Sequence, residues 1–180
     1  MAYFEKWWAQ QSADVKNVTR ALVADGRLEF NLAGWTMNDE ASPTYNAVIS
    51  QMTEGHQFVL REFGHAARPT VAWHVDPFGH SASTASLWSG MGFDAFGLER
   101  IDQREKDRRK ASKTLEFVWR GSDSLGASSQ IFAHILDSHY STPKEIAYDG
   151  TGSPPSSMRY NPQDASQAAE AFVKMARTRS

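Results

Sequence analysis

The 180-residue sequence contains no cysteine. Disulfides and thiolate metal sites are therefore excluded, and the redox compartment stays undetermined. No apolar run approaches the roughly 18 residues that a membrane span requires. An excess of one charge is missing too: 19 Lys and Arg stand against 21 Asp and Glu, so neither nucleic acid nor an anionic membrane is expected as a partner. The opening MAYFEKWWAQQ has no basic segment followed by an apolar one and does not read as a signal peptide. What is present is a chain of single-domain length with 41% hydrophobic and 22% charged residues, the composition of an ordinary folded protein. Asn17-Val-Thr19 is a glycosylation sequon that matters only in a secreted chain.

Periodicity predicts the elements in order. Phe4, Trp7, Trp8, Val15, Val18, Leu22 and Val23 are mostly three, four or seven apart before Gly26, which predicts one amphipathic helix over 4–25. Leu28 and Phe30 alternate with charge, a strand over 27–32. Ser42-Pro43 opens a helix that runs to Phe63 and stops at Gly64. Val71 to Val75 is a short apolar-rich strand ended by Pro77, with Ser81 or Ser83 capping a helix over Ala82–Met91. Phe93–Leu98 is the third strand and Gln130–Leu136 the fourth. Between them, Asp102–Arg120 reads as a charged helix with Leu115, Val118 and Trp119 on its apolar side. Asp102/Lys106 and Glu105/Arg109 are at i,i+4 spacing, and the excess of Lys and Arg over acids between 102 and 113 is a solvated face. A Gly/Pro/Ser-rich loop occupies 149–162, and Asp164 caps a last helix to about Ala176.

Such alternation predicts an α/β fold with a parallel sheet and right-handed crossovers. Four strands are few. A closed eightfold barrel takes about 250 residues and a doubly wound sheet usually five or six strands. The chain is either a small open sheet or a piece of something larger.

The carboxyl edge of a parallel sheet is where active sites collect. Asn38, Asp39 and Glu40 follow the first strand, Asp76 the second, Arg100 the third and Tyr140 the fourth, so four strand ends converge on one mouth. A carboxylate beside a guanidinium suits a nucleophile or a metal ligand, because opposite charge favours the ionised form. Taken singly, Asp39 and Glu40 read as capping or salt-bridging residues. His74, Asp76 and His80 are the ligand types of a zinc ion, yet their spacing argues against all three holding one ion. Asp76 reads as the ligand, His74 as a satisfied core residue and His80 as a loop hydrogen-bonder.

Three stretches carry a resemblance: Gly34-Trp-Thr-Met-Asn-Asp-Glu-Ala41, Trp73-His-Val-Asp-Pro-Phe-Gly-His-Ser81 and Met91-Gly-Phe-Asp94. They are similar to the amino-terminal catalytic domain of the glycoside hydrolase family 38 α-mannosidases. Phe4–Gln11 and Arg27–Phe30 resemble the family's first segments, Arg159–Ala176 its later helix, and His74 is similar to the lysosomal or vacuolar branch. The resemblance covers nearly all of the chain.

It implies a zinc-dependent retaining glycosidase built on a seven-stranded parallel β/α barrel, of which about four βα units are present, acting on mannose-containing oligosaccharides of glycoproteins. Asp76 matches the aspartate that is both nucleophile and zinc ligand. Phe78 matches an aromatic of the sugar site, Arg100 an arginine beside the nucleophile, and Tyr140 a tyrosine of the same pocket. The family's other zinc ligands and its acid/base carboxylate have no counterpart in this sequence. Residues 1–180 are thus expected to be a partial catalytic domain, inactive alone, from a lysosomal or vacuolar parent, with exposed barrel edges that favour self-association. The alternative is a non-catalytic carbohydrate-binding or regulatory remnant. A deacetylase-like metal hydrolase would need nearby histidine ligands that the spacing does not provide.

Overall fold

Side-chain caps set where most of the helices begin. The structure, a computed structural model, describes residues 1–140 and 162–179. After α1 (Ala2–Ala9) the chain starts α2 (Ala13–Ala24), where the Ser12 hydroxyl accepts from the Val15 N–H. The single helix expected over 4–25 is therefore two, because Ser12 must leave helical geometry (ψ 162) to act as a cap. α3 (Tyr45–Phe63) is capped by Thr44 rather than Ser42, whose hydroxyl donates instead to Asp39. α4 (Ala82–Gly90) starts from Ser81, and α5 (Gln103–Ser112) from Asp102, whose carboxylate accepts from two backbone N–H groups. α6 (Pro162–Arg179) begins two residues before Asp164. The rest of the loop expected over 149–162 lies outside the described residues.

Four strands, β1 (Val71–His74), β2 (Ala95–Leu98), β3 (Glu116–Arg120) and β4 (Gln130–Ile135), form one sheet in the order β1-β2-β4-β3. β1 pairs with β2 and β2 with β4 in parallel, whereas β3 runs antiparallel to β4. The fold is thus mixed α/β with a mostly parallel sheet.

Two expected elements are corrected. Residues 27–32 are not a strand: Leu32 and Ala33 take left-handed conformations (φ 55 and 54), which break an extended path, and the Leu32 N–H makes a bond to the Val71 carbonyl at 2.8 Å. The helix over 102–120 ends at Ser112, where Lys113 turns left-handed at φ 53. Beyond it Phe117 and Trp119 are half-buried while Glu116, Val118 and Arg120 are exposed, the period of two that defines a strand. Lys106 also departs from expectation by pairing with the buried Glu99 instead of Asp102. Glu105 and Arg109 do pair, at 2.7 Å.

One face of the sheet is the core. Ala72, Phe96, Leu98, Ile131, Ala133 and Ile135 pack there against Trp88 of α4 and Met52 of α3. The other face leaves Trp73, Val118 and Phe132 exposed. A second cluster, aromatic, seats Trp8 and Phe58 among Phe4, Phe30 and Phe63, tying α1 to α3.

Candidate functional site

β1, β2 and β4 end on the same edge, and the turns beyond them carry Asp76, Arg100 and Tyr140. These three make a closed triangle of two hydrogen bonds and one ion pair. Arg100 Nη2 forms an ion pair with Asp76 Oδ1 at 2.9 Å and donates to the Tyr140 hydroxyl at 2.9 Å, and that hydroxyl donates to Asp76 Oδ1 at 2.7 Å. Both contacts to the carboxylate, the ion pair and the hydroxyl bond, fall on Oδ1. The Arg100 guanidinium also lies 5.5 Å from the Phe78 ring centre and 5.6 Å from that of Tyr140, within cation–π range. Its basicity is raised, first by the Tyr140 hydrogen bond and further by the charge of Asp76. Phe78 is 70% exposed and the Asp76 side chain 60%. The four residues named from sequence therefore stand together at one open mouth. Phe78 and Arg100 also line an adjoining cleft of about 640 Å³ with Trp119 and Ile135.

A second group lies immediately inside. Its carboxylate, Glu40, is delivered by a loop that α3 holds: the Gln51 carbonyl accepts from the Trp35 N–H at 2.9 Å, and the Gln51 side chain accepts from the Thr36 N–H at 3.1 Å and donates to Asn38 Oδ1 at 3.0 Å. Gly55 makes this approach possible, since a Cβ there would sit 2.0 Å from the Ala33 carbonyl oxygen. Asp39 behaves as the capping residue expected. It accepts from the Ala41 and Glu40 N–H groups and the Ser42 hydroxyl, and the bonds from Ala41 and Ser42 hold its carboxyl below the usual range.

Glu40 does more than cap. Its Oε2 accepts from the Ser81 N–H at 2.5 Å, while Oε1 faces His74 Nδ1 at 3.7 Å and His80 Nδ1 at 3.8 Å. The three facing atoms lie within 4.8 Å of one another, and each is buried without a hydrogen bond. On their far sides the rings are anchored, His74 Nε2 to the Asn38 carbonyl at 2.6 Å and His80 Nε2 to the Arg100 carbonyl at 3.1 Å. Burial lowers the His74 pKa to about 4. It lowers that of His80 as well, against the opposing pull of Glu40. The reading of His80 as a loop hydrogen-bonder agrees with its bond to Arg100, but His74 is satisfied on one nitrogen alone. His74 and His80 do converge, with Glu40 in place of Asp76. These three could hold a metal ion. Sequence reasoning missed the set because Glu40 lies 34 positions before His74; the one signal was its presence at the same predicted mouth.

The whole chain, residues 1–180, matches the model of the glycosyl hydrolases family 38 N-terminal domain, and the chain belongs to that family. Among curated relatives, the lysosomal alpha-mannosidase of Mus musculus is 47% identical over 150 residues, covering 83% of this chain and 15% of that protein. The lysosomal alpha-mannosidase of Homo sapiens is 45% identical over the same extent and the same shares. An alpha-mannosidase of Arabidopsis thaliana is 46% identical over 150 residues, 83% of this chain and 14% of that protein. The chain thus spans about 15% of the length of these relatives.

Proposed function

We propose that residues 1–180 are a partial family 38 catalytic domain that carries the nucleophile side of a zinc-dependent retaining α-mannosidase, cleaving terminal α-mannose from glycoprotein oligosaccharides. The observation that carries this reading is the Asp76–Arg100–Tyr140 triangle. With the Arg100 ion pair and the Tyr140 hydrogen bond both on Oδ1, the carboxylate is oriented and Oδ2 has no hydrogen bond among the described residues. Oδ2 attacks the anomeric carbon. A second carboxyl, roughly 5 Å away in retaining enzymes, protonates the departing oxygen and belongs to the remainder of the parent. Water then gives its proton to that second group and displaces Asp76 from the sugar. Phe78 offers an apolar platform to the sugar ring, and Arg100 and Tyr140 counter charge changes on Asp76.

Zinc held at Asp76 would act as a Lewis acid and template toward sugar hydroxyls. Asp76 would supply one ligand position, and a catalytic zinc takes three protein ligands, so the described residues do not complete that site. The apolar sheet face left open by Trp73, Val118 and Phe132 supports a larger parent that covers it, and the seven-stranded barrel is what the family resemblance implies for that parent. Edge strands β1 and β3 favour self-association of the isolated chain. Similarity to lysosomal relatives supports a lysosomal or vacuolar parent.

Two proteins test the reading: the 180-residue chain and the continuous reading frame that contains it, both assayed with an aryl α-mannoside. Turnover is expected in the longer protein, abolished by Asp76→Asn, and absent from the shorter one. Turnover by the 180-residue chain would overturn the division of the site, and an active Asp76→Asn variant would overturn the nucleophile. Stabilisation of the chain by mannose in a thermal melt, with turnover in neither protein, would favour the carbohydrate-binding remnant.

A further inference from the structure

Tautomers decide what the buried group can accept. His74 Nε2 and His80 Nε2 each face a backbone carbonyl oxygen, at 2.6 and 3.1 Å. A carbonyl oxygen accepts only, so each Nε2 carries the hydrogen and each Nδ1 presents a lone pair. The third atom, Glu40 Oε1, belongs to a carboxylate already anchored through Oε2 to the Ser81 N–H. Three acceptors therefore point at one another across 3.7 and 3.8 Å, with no donor between them. Buried polar atoms are otherwise almost always satisfied, and mutual repulsion of three lone pairs is relieved only by something positive.

We propose that Glu40, His74 and His80 form a structural site for a divalent cation of the zinc class, separate from the mouth at Asp76. The donor set, two imidazoles and one carboxylate, is that of zinc. Neighbouring ligands around a tetrahedral zinc are about 3.3 Å apart, given bonds of about 2.0–2.1 Å, so the imidazole-to-carboxylate gaps need to close by only a few tenths of an ångström. The backbone carbonyls on the outer nitrogens are the partners that metal-bound histidines ordinarily have. The side chains of Glu40, His74 and His80 are 9%, 0% and 6% exposed, which leaves no face for a sugar; a water would complete the tetrahedron that three protein ligands leave open, and the ion's role is to hold the fold rather than to meet substrate. Its ion ties the Glu40 loop, the end of β1 and the turn before α4 to one another. It also fixes the backbone of Arg100 through His80, and so the guanidinium that holds Asp76. This inference stands whether or not the parent is a mannosidase.

The test uses the whole 180-residue chain, stripped with a chelator and then dialysed against Zn²⁺ or Co²⁺. One retained equivalent is expected by elemental analysis, with visible ligand-field bands for Co²⁺. Asp76→Asn is expected to retain the metal, whereas Glu40→Gln and His80→Gln weaken binding about tenfold to a hundredfold or more. If either variant does not fold, imidazole nitrogen NMR of the unaltered chain decides: zinc should shift both Nδ1 signals while both Nε2 atoms keep their hydrogens. Failure to retain metal overturns the site. So does retention that Asp76→Asn abolishes and Glu40→Gln does not, or Nδ1 protonation at neutral pH that zinc leaves unchanged.

Discussion

His74 and Asp76 are two residues apart, yet they sit in opposite environments. Asp76 joins an exposed triangle with Arg100 and Tyr140, whereas His74 joins a buried cluster with Glu40 and His80. The strand ends at His74, and the chain then turns outward, so one short segment serves the core and the mouth together. Arg100 belongs to both groups, its carbonyl to His80 and its guanidinium to Asp76. Depth separates the exposed group proposed for the chemistry from the buried group that holds the fold. Groups at the mouth are exposed and nearly free of cost to the fold, and groups one layer in are costly to alter.

The division is testable in several ways. Asp76→Asn should lower turnover of the longer protein by on the order of 10³-fold or more while changing stability by less than about 0.5 kcal/mol; a large drop in melting temperature would break the contrast. Trp88→Ala should do the reverse, costing about 3–5 kcal/mol in a denaturant titration of the chain, because this fully buried ring packs edge-on at 5.8 Å from His74.

Acid should single out the inner group. The folded-state pKa of His74 is lowered from 6.5 to about 4, so the unfolded chain binds more protons between those values and stability drops as the pH is lowered through them. The contribution is fully present above pH 6.5 and is lost progressively down to about pH 4, amounting to ~3 kcal/mol. Urea midpoints measured across this range in the presence of a chelator should show the loss, and a flat profile would count against a neutral buried His74. Glu40→Ala should cost about 1–3 kcal/mol, since it strips the Ser81 N–H of its acceptor, against no measurable change for Asp76→Ala. Tyr140→Phe should be mildest. It removes the hydroxyl's bonds to Asp76 and from Arg100, which at an exposed mouth add little to folding, and should slow turnover several-fold with an unaltered melt.

Much of the mouth was legible in advance. Asp76, Arg100 and Tyr140 each follow an apolar run of strand length, and parallel strands deliver their carboxyl ends to one edge. β3 was not legible, because Leu115, Val118 and Trp119 satisfy a helical spacing while Leu115, Phe117 and Trp119 satisfy a strand. Pairing with β4 decides between them. The strand expected over 27–32 failed for a related reason: alternation of Leu28 and Phe30 carries no information about the positive φ of Leu32 and Ala33. Ser42 looked like a cap because it precedes Pro43, but Thr44, two residues on, is the one directly before the helix and accepts from the Ala47 N–H.

The sequence by itself determined the α/β class, the strand that ends before Asp76, and the family, through short motifs whose residue types survive any rearrangement of the chain. The tertiary structure alone decided which polar groups meet. Hydrogen bonds from Gln51 carry Glu40 to two histidines that the local spacing had set apart, and that meeting depends on how closely α3 approaches at Gly55. Periodicity reports which face of an element is apolar; it is silent on which loops from distant elements share a space, and the buried cluster is made entirely of such a meeting.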